Sequence, residues 1–228
     1  MTEFAPLLVA DRDQKARQIH LVDKISFPAW LKKRPAEDRH LLEAQRFDGK
    51  SPFAFAILPR GSEFEVVAAV KKTGELSPWC LAKLAESLPE GTYKLADGEP
   101  GDAALGWLLG QHRFDGYRSK IEEAERGERI LVTSEAAKIE TIVRLANATA
   151  LVRDLVTTPA GDLGPNEIEQ VAREAATEFG AQIRVTSGKE LKSGYPLTPY
   201  NRATFYGGGE AGYTDYPVYD GLREPETA

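Results

Sequence analysis

The sequence predicts an α/β fold: an N-terminal α/β domain, a long helix, the opening of a second α/β unit and an irregular tail. Three observations carry this expectation. Over the first two thirds of the chain, short apolar runs alternate with helical spacing, as in an α/β domain. From Ser134 to Val156 apolar residues keep a helix-like spacing with no interior Gly or Pro. Then Pro159, Gly161, Gly164 and Pro165 punctuate the chain within a few residues and mark its best domain boundary. A length of 228 residues fits one large domain, or one domain and part of another.

Taken in order, Phe4-Ala5-Pro6-Leu7-Leu8-Val9 is a short apolar run. Phe53-Ala54-Phe55-Ala56-Ile57-Leu58 and Glu65-Val66-Val67-Ala68-Ala69-Val70 read as strands, and the Pro59-Arg60-Gly61-Ser62 loop between them suggests a hairpin. Pro78 to Leu88 has Leu81, Leu84, Ala85 and Leu88 on one helical face. A short apolar helix is expected over Ala103 to Leu109 and a strand over Arg129-Ile130-Leu131-Val132. The Ser134 to Val156 helix takes Ser134 as N-cap, without a capping box because Ala137 stands three residues on. It suits either a connector between two domains or a long helix packed on its own sheet. After the Pro/Gly boundary, Asn166 to Phe179 repeats helical spacing, Gly180 supplies a stop, and Ala181-Gln182-Ile183-Arg184-Val185 alternates like a strand. From Tyr195 the composition shifts: six of the eight tyrosines fall there without periodicity, so Tyr195 to Ala228 is expected to be a poorly packed or disordered tail.

Composition narrows the function classes. Hydrophobic residues at 42% and charged residues at 28% indicate a folded chain rather than a disordered one. With 29 basic against 35 acidic residues and no basic block beyond Leu31-Lys32-Lys33-Arg34, a nucleic-acid partner is not expected. The single cysteine, Cys80, excludes an internal disulfide, and the scattered His20, His40 and His112 argue against a Cys/His zinc site. A start without a basic n-region and the lack of any 18-residue apolar run argue against export or membrane insertion, so a cytoplasmic setting is expected.

Several segments invite chemistry and fail on context. Gly207-Gly208-Gly209-Glu210-Ala211-Gly212 matches the dinucleotide-binding pattern, but Tyr213-Thr214-Asp215-Tyr216-Pro217 follows where a helix should open. The tail tyrosines could stack on bases, yet only Arg202 and Arg223 accompany them. His112 has no nucleophile or carboxylate partner assignable from spacing. Cys80, between Trp79 and Leu81, reads as a core thiol, and Glu122-Glu123-Ala124-Glu125 as a solvated loop. No carboxylates cluster as a two-metal hydrolase would require. No catalytic, cofactor-binding or metal-binding residue is therefore assigned.

Ala150-Leu151-Val152-Arg153-Asp154-Leu155-Val156-Thr157-Thr158-Pro159-Ala160-Gly161-Asp162-Leu163-Gly164-Pro165 closely resembles the interdomain junction of the leucine (cytosol) aminopeptidase family, with Thr157 and Gly161 where Asn is usual. Trp107-Leu108-Leu109-Gly110-Gln111-His112-Arg113-Phe114-Asp115-Gly116-Tyr117-Arg118-Ser119-Lys120 looks like that family's L-G-x-Y-R-F-D-x-Y-K segment. Ile183-Arg184-Val185, Lys189-Glu190-Leu191 and Gly194-Tyr195-Pro196-Leu197 resemble the opening of its catalytic domain.

The resemblance implies a macro-domain-like N-terminal domain (1–133), a linker helix and hinge (134–165), a truncated start of the α/β peptidase domain (166–197) and a Tyr/Gly/Pro-rich tail (198–228). It implies as parent activity the release of N-terminal amino acids from peptides, using two divalent ions such as Zn or Mn, in enzymes that assemble as homo-oligomers. The family's metal-binding residues lie in motifs like V-G-K-G-V-x-F-D-T-G-G and N-T-D-A-E-G-R-L, neither of which occurs here. At Thr198-Pro199-Tyr200-Asn201 the resemblance stops, as a frameshift or fusion would produce, or as a recruited tail would. The expectation is a truncated aminopeptidase-like protein, inactive alone; the alternative is a non-catalytic interaction or oligomerisation module built on the N-terminal domain.

Overall fold

Alternation along Arg17-Gln18-Ile19-His20-Leu21-Val22 places Ile19 and Val22 in the interior on opposite faces of a strand, and this strand becomes the middle of the fold. A computed structural model describes residues 2–117 and 127–186. After a 3-10 turn at Ala5–Leu7 the elements are β1 (Leu8–Ala10), β2 (Arg17–Val22), α1 (Phe27–Lys32), α2 (Ala36–Ala44), β3 (Phe55–Arg60), β4 (Glu63–Ala69), α3 (Ala82–Ser87), β5 (Gly91–Leu95), α4 (Ala103–Leu109), β6 (Arg129–Thr133), α5 (Ala136–Thr157) and α6 (Pro165–Glu178). The chain divides into two units, Met1–Val152 and Arg153–Ala228.

In the first unit six strands form one sheet in the order β1-β6-β5-β2-β4-β3. All neighbours are parallel except β3, which pairs antiparallel with β4 in the register Phe55↔Ala68 through Arg60↔Glu63. The sheet is covered on both faces. Leu81, Leu84 and Ala85 of the α3 region, Trp107 and Leu108 of α4, and Ile142, Ala146 and Ala150 of α5 pack with Ile19, Val66, Tyr93 and Leu131. Phe27 of α1, Leu42 of α2 and Phe47 pack with Val22, Leu58, Val67 and Ala69 on the other face. Burying each such side chain stabilises the fold by about 1.5–3 kcal/mol. Trp107, fully buried, keeps its indole N–H satisfied by donating to the Arg129 carbonyl at 2.8 Å. The α3 and α4 layers approach so closely that a Cβ at Gly106 would collide with the Pro78 carbonyl, and one at Gly110 with that of Ala82.

The hairpin expected between Phe53 and Val70 forms, with its turn narrowed to Gly61-Ser62 and Gly61 at φ +64°. Pro59 and Arg60 belong to β3 rather than to the loop. Proline is tolerated because β3 is the edge strand, where its missing N–H costs no ladder bond on the outer side. The helix expected over Pro78 to Leu88 shortens to α3, although Leu81, Leu84, Ala85 and Leu88 are all buried as its pattern requires. Ser134 does not cap α5 as expected: its hydroxyl donates to Glu99, and the helix begins at Ala136. The short β2, α1, α2 and β5 were not anticipated.

In the second unit α6 begins at Pro165, where the Glu167 carboxylate accepts the Gly164 N–H at 2.8 Å, and it ends before Gly180 at φ +62°. The strand expected over Ala181 to Val185 does not form. Residues 181–184 are exposed, and no strand among the described residues lies beside them to offer a ladder. The tail from residue 187 onward lies outside the described residues.

Candidate functional site

Strand order in an α/β sheet fixes where loops diverge. From β2 the chain proceeds to β4 on one side and then crosses to β5 on the other, so the loops after these strands separate at the carboxyl end of β2, where open sheets bind ligands. Asp23 follows β2 directly and is buried. One carboxylate oxygen accepts the backbone N–H of Ile25 at 2.9 Å and of Ser26 at 2.8 Å; the other accepts the N–H and the hydroxyl of Thr73 at 2.9 and 2.8 Å. Bonds from Thr73 first, then Ser26, hold this carboxyl far below the usual carboxylate range. Asp23 thus ties the β2 loop to the β4 loop.

The neighbouring carboxylates are engaged in the same way. Against the upward push of burial, hydrogen bonds from Ser134 and Thr133 hold Glu99, after β5, below its ordinary value. Asp11, after β1, is lowered by its ion pair with Lys94. Glu135 accepts the Gly101 N–H at 3.0 Å and pairs with Lys138. This end of the sheet is a network of carboxylates already used by protein donors. Among the described residues no group of three or more His, Cys, Asp or Glu converges as a metal site would.

Beside this rim a cleft of about 780 Å³ is lined by Phe53, Lys71, Lys72, Ser77, Pro78 and Cys80. Burial raises the Cys80 thiol pKa, which keeps it protonated and a poor nucleophile at neutral pH. Phe53 stands at φ +71° with half its surface exposed, a backbone conformation that disfavours a bulky residue. It also borders a second cleft, of about 620 Å³, between α3 and the segment after α4. His112 lines that second cleft, its N–H donating to the Leu109 carbonyl at 3.3 Å and its ring centroid 6.2 Å from that of Phe4. The two side chains that attracted attention in the sequence, Cys80 and His112, therefore line different clefts. The glycine-rich segment Gly207 to Gly212, the tail tyrosines and the run Glu122 to Glu125 lie outside the described residues.

Sequence reasoning missed Asp23, although Asp23 followed three residues later by Ser26 before a helix is a readable turn signal. It also missed Phe53, Trp79 and Arg113 around the second cleft, because no local pattern announces residues assembled from separate loops.

Comparison with known proteins agrees with this architecture. Residues 18–127 match the M17 aminopeptidase, N-terminal domain. The chain is 32% identical over 170 residues to a probable cytosol aminopeptidase of Brucella melitensis, covering 63% of this chain and 34% of that protein. It is 33% identical over 121 residues to one from a Geobacter species, covering 48% and 22%. Its fold superposes on a crystal structure of cytosol aminopeptidase from Coxiella burnetii with a TM-score of 0.69 at 24% identity, over 84% of this chain and 42% of that one. A second solved structure, the bottromycin maturation enzyme BotP in complex with Mn, superposes at 0.58 with 22% identity, over 78% and 40%. The chain thus spans about a third or less of the length of these curated relatives. Residues 18–127 thus carry the M17 aminopeptidase N-terminal domain, and the chain is similar to part of the cytosol aminopeptidases.

Proposed function

We propose that this chain supplies the N-terminal α/β domain (1–133), the linker helix and hinge (134–165) and the start of the catalytic domain (166–197) of a leucine-aminopeptidase-like protein, with 198–228 as an appended tail, and that it releases no N-terminal amino acids by itself. The carrying observation is a pairing: the family match falls on residues 18–127, while neither metal-binding motif of the family occurs in the sequence. Two divalent ions would polarise a scissile carbonyl and activate a water in the parent reaction. The residues described here do not fit such a centre, since Asp11, Asp23, Glu99 and Glu135 are each held by protein donors. No step is therefore routed through metal in this chain.

The test is the purified chain with a leucyl chromogenic substrate and added Mn²⁺ or Zn²⁺. Turnover at the buffer rate is expected; turnover abolished by a chelator would refute the reading. The names of the relatives support a cytoplasmic setting, and among the described residues no helix is long and apolar enough to cross a membrane. A second reading, a non-catalytic interaction or oligomerisation module, draws on Leu145 and Val152, two α5 residues seven apart, half and more than half exposed respectively. Light scattering on the same preparation decides it: a mass above that of the single 25.1 kDa chain supports assembly, and a monomer counts against it.

A further inference from the structure

Where a sheet ends, unpaired N–H and C=O groups offer a template on which another strand can pair. β3 is such an end, and no strand among the described residues lies beside its outer side. Ala54 accepts the Ala69 N–H at 2.8 Å. Because bonding alternates along an antiparallel strand, Ala56 and Leu58 bond to β4, while Phe55, Ile57 and Pro59 turn their backbone groups outward. That outer side is blunted at its start, middle and end. At the start, Phe53 donates to the Ala69 carbonyl at 3.0 Å, so that Phe53 and Ala54 together oppose Ala69. With Phe53 at φ +71°, this is a bulge of the kind that usually places glycine there, and it bends the edge. At the end, Pro59 has no N–H to offer. In the middle stands Gln45, whose Nε2 donates to the Ile57 carbonyl at 3.0 Å and whose Oε1 accepts the Ile57 N–H at 3.2 Å. A carboxamide has the donor and acceptor of a peptide group, so Gln45 fills the place of one residue in a neighbouring strand.

The end of α2 aims this side chain. The Arg46 N–H bonds to the Glu43 carbonyl and the Phe47 N–H to that of Leu42, both at 2.9 Å, a Schellman closure with Arg46 at φ +55° where glycine is usual. Phe47 is buried edge-on against Phe27, with 5.5 Å between ring centroids, and anchors the turn. Water alone would satisfy the backbone of an exposed edge, so Ile57 does not need Gln45 to complete its hydrogen bonds; what the carboxamide excludes is a strand. We propose that Gln45 is an edge guard and that the partner it excludes is β3 of a second copy of this chain. The edge is self-complementary. Two copies related by a two-fold axis at Ile57 would exchange both bonds at that residue, and each Phe55 N–H would meet the Pro59 carbonyl of the other copy. Gln45 occupies the centre of that pairing. The proposal concerns the N-terminal unit and goes beyond the function proposed above, because it is independent of peptidase activity.

The test compares the whole chain with Q45A and Q45K. Each substitution removes both bonds to Ile57, but a lysine leaves a charge on the edge that still discourages pairing. In light scattering from about 1 to about 100 μM, the mass of Q45A should climb with concentration above that of the native chain and toward twice its value, while Q45K follows the native chain. Hydrogen exchange gives a second readout. The Ile57 amide should exchange about 5-fold or more faster in Q45K than in the native chain, and in Q45A exchange at Phe55 and Ile57 should slow as concentration rises. Circular dichroism checks that both variants fold. Q45A keeping the native mass up to about 100 μM overturns the proposal. So does equal association of Q45A and Q45K, which would reduce Gln45 to a tether between α2 and β3. An Ile57 amide unprotected in the native chain overturns it without any variant.

Discussion

His20 lies on the face of the sheet covered by α1 and α2, among charged partners. Its Nε2 lies 3.3 Å from a Glu65 oxygen that also meets Arg34 at 3.4 Å and Arg60 at 3.1 Å. Arg60 in turn grips the buried Asp38 through two bonds of 2.8 and 2.7 Å. The Trp30 ring packs 5.7 Å from the imidazole, with Arg34 over that indole at 4.3 Å. Burial first, then the Arg34 charge, push the His20 pKa below its ordinary value, and Glu65 and Asp97 only partly oppose them. A histidine with a depressed folded pKa binds fewer protons folded than unfolded, so its contribution is complete above about pH 6.5 and is lost as pH falls toward the folded value. The melting temperature should therefore fall between about pH 6.5 and 5 more steeply in the native chain than in His20→Gln. Parallel slopes in the two proteins would show that the imidazole takes up its proton equally in the folded and unfolded states, and would refute the depressed value. None of this was legible in the sequence, where His20 is an isolated histidine in a stretch that announced no strand. Its partners come from α1, β3 and β4, and spacing along the chain does not reveal such convergence.

At the scale of elements, α5 shows how far periodicity reaches. The pattern from Ser134 to Val156 announced a helix, and one forms from Ala136 to Thr157. It could not say which face is inside, because the helix buries small residues, Ala146 and Ala150 with Ile142, while Leu145 and Val152 remain exposed. Size and burial run opposite to the usual correlation. Close approach to the sheet explains the alanines, since Ile142, Ala146 and Ala150 join the core of the first unit. Ala146→Leu should consequently destabilise the chain by about 1–3 kcal/mol through overpacking. Leu145→Gln, one residue away, should change stability by no more than about 0.5 kcal/mol. Urea unfolding of both variants checks this, and equal effects would mean that α5 does not pack as described. The hairpin and α4 were legible for the opposite reason: their signals are local, a glycine turn and a compact apolar run, and need no information from distant residues.

For the whole molecule, the question is where its cooperative unit ends. Both core clusters draw every buried member from residues before Arg153, the last being Ala150. The second unit offers α6, which buries none of its residues; Ile168 and the capping Phe179 are exposed. Stability among the described residues therefore rests on the N-terminal unit. Ending the chain after Thr158, whose N–H still closes the last turn of α5 on the Asp154 carbonyl at 2.9 Å, should leave the urea midpoint and the near-ultraviolet signal of the buried Trp107 unchanged. The urea m-value should stay within about 15% of that of the whole chain, because m follows the surface that unfolding exposes and little is buried after Val152 among the described residues. A clear fall in both midpoint and m-value on truncation would place part of the cooperative core beyond the hinge, and the division of the chain at Val152 would have to be redrawn.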